Sequence, residues 1–214
     1  MTTLVRKAIY TREDEDALIA DGSDWNFHEQ ETREHLHSLH PYPAKFIPQI
    51  PRRAIELWTK PDDLLYDPFN GCGTTVLEAS LAGRRSVGTD NNAVAVLASR
   101  AKTALYSKAN LNALGRFAAR TAGGLDFAPP RPDLIPMNKN FHYWFDPVTV
   151  ERLAALKGVI LAEAEPARTL LLAVFSSIIV RVSYQDSDTR YSRKLRGVAA
   201  DEVDSAFRSR LADT

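Results

Sequence analysis

Apolar positions along the chain fall into runs of different period, and each change of period marks an element. A short apolar run at Leu64–Tyr66 leads into a glycine-bearing turn, and a helical pattern follows over 74–81, closed by Gly83. Residues 84–92 supply a second strand and 93–105 a second helix, so the order is strand, helix, strand, helix. That alternation predicts a parallel sheet. Upstream, Pro41, Pro43, Pro48 and Pro51 forbid a continuous helix, and the next helix is predicted from Pro51 to Trp58, because proline suits a first helical position. Downstream, apolar residues at 150, 153, 156 and 160 predict a helix over 148–164. The stretch 166–182 is apolar on nearly every side and predicts a second, deeply buried helix.

Four regions follow from this pattern. Residues 1–40 are polar, with Trp25, Phe27 and His28 as the bulky anchors, and read as an extended arm. Residues 41–123 form the α/β region. Residues 124–146 read as a linker, rich in proline at 129, 130, 132 and 136, and 147–214 as a helical extension. A hydrophobic fraction of 44% with 25% charged residues is that of an ordinary globular protein. No apolar run approaches the roughly 20 residues that span a bilayer, and the first residues lack a signal-peptide core, so the chain is expected in the cytoplasm, without a membrane partner. The single cysteine, Cys72, agrees with a reducing compartment. Basic and acidic residues balance at 27 each, so any nucleic-acid contact has to rest on local clusters.

The turn between the first strand and its helix reads DPFNGCGTT from Asp67 to Thr75. Gly71 and Gly73 let the backbone approach a ligand closely, and the helix start presents unpaired amides. Asp67 at the strand end suits the amino group of an amino-acid-like ligand. After the next strand, Asp90 stands where doubly wound folds place the acid that binds ribose, 17 residues beyond Gly73. The full glycine spacing of a pyrophosphate site is missing. An adenosine without phosphates fits these residues better.

DPFNGCGTT resembles the DPFxGxGTT motif of DNA amino-methyltransferases, which modify cytosine N4 or adenine N6, and HPYPAKF, from His40 to Phe46, resembles their second cofactor motif. The resemblance implies a Rossmann-like, S-adenosylmethionine-dependent methyltransferase sheet, present in part, with a C-terminal helical extension. It implies S-adenosylmethionine as cofactor, held by Asp67, Phe69, Gly71, Gly73 and Thr74 of the first motif and Tyr42, Pro43, Lys45 and Phe46 of the second. Asp90, with its neighbour Asn91, would take the ribose. Cys72 replaces a frequent serine. Family members hold the flipped-out target base with Asp, Asn or Ser, then Pro-Pro, then an aromatic. The only Pro-Pro pair here, Pro129 and Pro130, lies between Ala128 and Arg131, so no residue is assigned to the chemical step. A second methyltransferase subunit carrying that motif is the expected partner, with double-stranded DNA as substrate and restriction-modification as a setting. A non-catalytic S-adenosylmethionine-binding regulator and an RNA methyltransferase subunit are the alternatives.

Within 181–196 five basic residues face two acidic ones, with Tyr184 and Tyr191 interleaved. Arg190, Arg193, Lys194 and Arg196 are the candidates for a DNA backbone contact, against an ordinary solvated loop. The aromatic group at 141–145 reads as a seal between region and linker in preference to a base-stacking surface. His40 and Lys45 read by themselves as turn and solvated residues. The histidines show no metal-ligand spacing, and His35, His37 and His40 read as part of the polar arm.

Overall fold

A computed structural model of the protein describes residues 25–214 except 29, 139, 188, 198 and 200. Most of the arm, residues 1–24, lies outside the described residues. The chain divides into Met1–Glu31 and Thr32–Thr214. In the first unit the rings of Trp25 and Phe27 meet edge to face at 6.0 Å.

A 3-10 turn at His35–Ser38 and a proline-broken strap lead into helix α1, Gln49–Trp58. Strand β1, Leu64–Asp67, runs through the glycine turn into α2, Thr74–Leu81, and on to β2, Arg85–Gly88. The two strands pair in parallel, Leu64 beside Arg85 and Tyr66 beside Val87. Helix α3, Ala93–Thr103, follows, started by the Asn92 side chain accepting from the Val94 amide at 2.9 Å. This strand-helix order is the one the periodicity predicts, and the chain is an α/β protein.

Two helices were not legible as such. α4, Lys108–Thr121, opens on a capping box between Ser107 and Asn110, and α7, Glu202–Ala212, lies near the C-terminal end of these residues. Between α3 and α7 come a helical turn at Phe141–Trp144, then α5, Pro147–Leu161, and α6, Ala167–Ile178. The region read as wholly helical also contains an antiparallel hairpin, β3, Gln185–Ser187, with β4, Arg190–Arg193. The predicted long helix over 166–182 therefore ends at Ile178, and the chain turns back on itself.

α6 is the centre of the core. Leu170, Leu171, Ala173, Val174 and Ile178 are buried against α3, α4, α5 and α7, with Phe117, Leu156, Val203 and Phe207 around them. An all-round apolar helix is thus covered from within the chain. The linker residues join this body as well: Leu125 is buried, and its amide donates to the buried Asp204 at 3.0 Å. Asp204 is in turn gripped by Arg152.

The β1–β2 pair is covered on one face by α2, while Leu64, Tyr66 and Val87 on the other are 57%, 62% and 47% exposed. Parallel sheets ordinarily bury both faces. Among the described residues nothing covers this one.

Candidate cofactor-binding site

The turn after β1 is built by backbone pairing that runs past the strands. The Thr89 amide donates to the Asp67 carbonyl at 2.9 Å, and the Asn70 amide to the Thr89 carbonyl at 3.0 Å. Gly71 and Gly73 have φ of +50° and +85°, values that side-chain-bearing residues rarely adopt. At Gly73 a Cβ would lie 2.5 Å from the Ser99 hydroxyl, so the glycine also lets α3 approach the turn. Gly88 does the same for Asn70, whose side chain would meet a Cβ there at 2.3 Å. The Asn70 amide group donates to the Ser99 hydroxyl at 2.8 Å.

Asp90 comes to this turn and helps to build it. One carboxylate oxygen accepts from the Gly71 amide and the other from the Asn92 amide, both at 2.8 Å. Each oxygen keeps acceptor capacity for a ligand hydroxyl. Asp67 is half-buried at the strand end and accepts from the Phe69 amide at 3.0 Å. Thr74 is buried at the start of α2, whose first turn has no side-chain cap. Phe69 stands 89% exposed at the rim of the turn.

The second predicted segment reaches the same place through Tyr42, whose ring edge lies 3.5 Å from the position a Gly71 Cβ would take. Pro43, Phe46 and Asn91 are exposed, and the Lys45 ammonium is turned to the His37 carbonyl at 2.8 Å. The cradle between Tyr42 and the turn is one that a side chain at 71 would begin to fill. Asp67 and Asp90 lie at the carboxyl ends of adjacent parallel strands. These residues fit an amino-acid-bearing nucleoside without phosphates.

What holds the strap in place is a set of residues the sequence did not single out. Glu78, on α2, is 2% exposed. It accepts from His37 Nε2 at 2.7 Å and from Arg52 Nε at 2.8 Å. A carboxylate can only accept, so His37 Nε2 carries the proton. Burial pushes the Glu78 carboxyl up, but the hydrogen bonds from His37 and Arg52 and the charge of Arg52 outweigh it, and the net shift is downward. The ion pair holds the Arg52 guanidinium above its ordinary value. His40 is buried, not a surface turn residue, and contacts the Ser176 hydroxyl of α6 at 3.0 Å. A histidine pair before a proline strap and one acid in an otherwise apolar helix were the available signals.

Cys72 lies beneath the turn, 1% exposed, and the buried Lys102 ammonium donates to its sulfur at 3.3 Å. Burial lowers the Lys102 pKa, and Lys45 adds to this against the opposing effect of the thiol.

The basic segment is brought to the hairpin and away from the turn's own residues. Arg193 lies over the Tyr143 ring at 4.4 Å and near the Tyr184 ring at 5.3 Å. Arg196 donates to the Arg181 and Ser183 carbonyls and pairs with Glu202 at 2.8 Å. Arg190 is 3.7 Å from Asp186, and the Lys194 backbone amide donates to the Tyr184 carbonyl at 2.7 Å. Asp188 lies outside the described residues. Phe141 and Phe145 stack at 5.0 Å and line an apolar cavity of about 310 Å³ against α5 and α6.

A parallel strand-turn-helix-strand unit, with a glycine turn and two acids at the strand ends, defines an α/β protein, and in open sheets of that class ligands bind at the carboxyl ends of the strands. Comparison with known proteins finds a family that this unit resembles. Residues 7–100 match the model of the DNA methylase family. It is 29% identical to the type II methyltransferase M.MvaI of Kocuria varians over 167 residues, covering 71% of this chain and 35% of that protein. It is 39% identical to the type II methyltransferase M.MjaII of Methanocaldococcus jannaschii over 62 residues, 29% of this chain and 12% of that one. The chain thus spans about a third or less of the curated relatives it matches. No solved structure is recognisably similar to it.

Proposed function

We propose that this chain is the S-adenosylmethionine-binding part of a site-specific DNA amino-methyltransferase acting on cytosine N4 or adenine N6, and that the base-holding Pro-Pro-aromatic motif comes from a partner chain. The observation that carries the cofactor reading is the convergence of Tyr42, Asp67, Gly71 and Asp90 on one turn. When bound, S-adenosylmethionine supplies an electrophilic methyl group on its sulfonium. Asp67 would take the amino group of its methionine end and Asp90 the ribose hydroxyls. Tyr42 would shield the cradle from water, and Gly71 and Gly73 would admit the ligand to the backbone. Because Asp90 also ties down the Gly71 amide, the ribose acceptor and the turn form one unit, which lowers the reorganisation needed on binding.

Support for additional polypeptide comes from the open sheet face, where Leu64, Tyr66 and Val87 stand in water as no parallel sheet normally leaves them. The exocyclic amine of a base is a poor nucleophile because its lone pair is delocalised into the ring, and methyl transfer to it requires a pocket that holds the nitrogen in line with the methyl group. The test is incorporation of labelled methyl from S-adenosylmethionine into duplex DNA by the purified chain, alone and with a polypeptide carrying the Pro-Pro-aromatic motif. Methylation only in the combined sample is expected. Robust methylation by the chain alone would defeat the partner, and methylation of RNA in place of DNA would defeat the substrate.

A further inference from the structure

The cations around the hairpin divide by what they already hold. Arg193 is committed to two tyrosine rings, Arg196 to two carbonyls and Glu202, and Arg190 to Asp186. Among the described residues the side chains of Arg181 and Lys194 make no ion pair or hydrogen bond, and both are exposed. They line one cavity of about 380 Å³ between the end of α6 and the hairpin, together with Ser177, Gln185 and Ser187; the Ser177 hydroxyl donates to the Val174 carbonyl and the Gln185 amide to the Ser187 carbonyl, both at 2.7 Å. Asp186 also lines it, and its carboxylate faces Arg190.

We infer that this cavity receives one backbone phosphate of double-stranded DNA, with Arg181 and Lys194 as its cationic ligands. The inference rests on the DNA reading above and changes its residues. Two unpaired cations match the several acceptor oxygens of a phosphate better than a single carboxylate, and the cavity is open to a strand passing outside it. Arg193 and Arg196 instead shape the hairpin that presents Lys194. The same helix reaches the cofactor strap: Ser176 contacts His40, two residues before Tyr42, and Arg181 lies five residues beyond Ser176. A phosphate fixed here is therefore registered against the cofactor turn through α6.

The test is the salt dependence of binding of the full chain to a fluorescent DNA duplex. Replacing Arg181→Gln and Lys194→Gln together should reduce the log-log salt slope by about 0.9, the value of one phosphate contact, and weaken binding several-fold at low salt. The charge-keeping pair Arg181→Lys and Lys194→Arg should restore most of the slope. A wild-type slope retained by the double Gln variant overturns the assignment while leaving DNA binding intact. A wild-type chain that binds DNA without salt dependence, or not at all, removes the DNA reading and this inference together.

Discussion

Glu78 shows how much a single buried residue can decide. A carboxylate with no access to water survives only because His37 and Arg52 satisfy it, and those partners lie on the strap and on α1. Removing the charge should cost about 1–3 kcal/mol, the range for hydrogen bonds to a buried charged group. Because the folded-state pKa of Glu78 is lowered, its contribution is fully present above the ordinary carboxylate value of about 4.3 and is lost as pH falls through the lowered folded value. Urea unfolding of Glu78→Gln should therefore show a deficit at pH 7 that shrinks below about pH 4. A deficit that stays constant across that range would remove the ion pair as its source. The pairing was not legible in the sequence, since His37 and Glu78 are 41 residues apart and neither local signal names the other as its partner. Asp67, Asp90 and the two glycines were legible, because a strand-end acid and a turn glycine carry their reason locally.

At the scale of elements the turn and its flanks follow their pattern closely. β1, α2 and β2 were found from a change of period bounded by glycine, and α2 has the predicted limits of Thr74 and Leu81. Helix α4 escaped because its apolar residues, Leu111, Leu114 and Phe117, are spread through a polar segment, and α7 because its buried Val203, Ala206 and Phe207 are few. The hairpin escaped because all of β4 is exposed and shows no alternation. Packing of α3 against the turn gives a specific expectation. Gly73→Ala combines a positive φ with a Cβ clash on Ser99 and should lower stability by about 2–4 kcal/mol. Gly83→Ala, also at positive φ but with open space around it, should cost only about 1 kcal/mol. Equal losses in urea unfolding of the two variants would mean that the close approach of α3 contributes nothing.

On the scale of the whole unit, the helical body is closed and the sheet is not. Tertiary burial explains why: α6, whose all-round apolar surface suggested a place for a partner, finds four helices of the chain to cover it, whereas the short strands gave a weak sequence signal and carry the exposed apolar face. Sequence patterning could show which residues are apolar but not which of them the chain itself covers. The central claim is that S-adenosylmethionine sits between Tyr42 and the Gly71–Gly73 turn. Its most direct test is an amide-resolved NMR titration of the full chain with S-adenosylmethionine. Saturable shifts at a one-to-one ratio, largest at Tyr42, at residues 69–75 and at Asp90, are predicted. Absence of shifts, or shifts confined to the hairpin and the helical body, would contradict it.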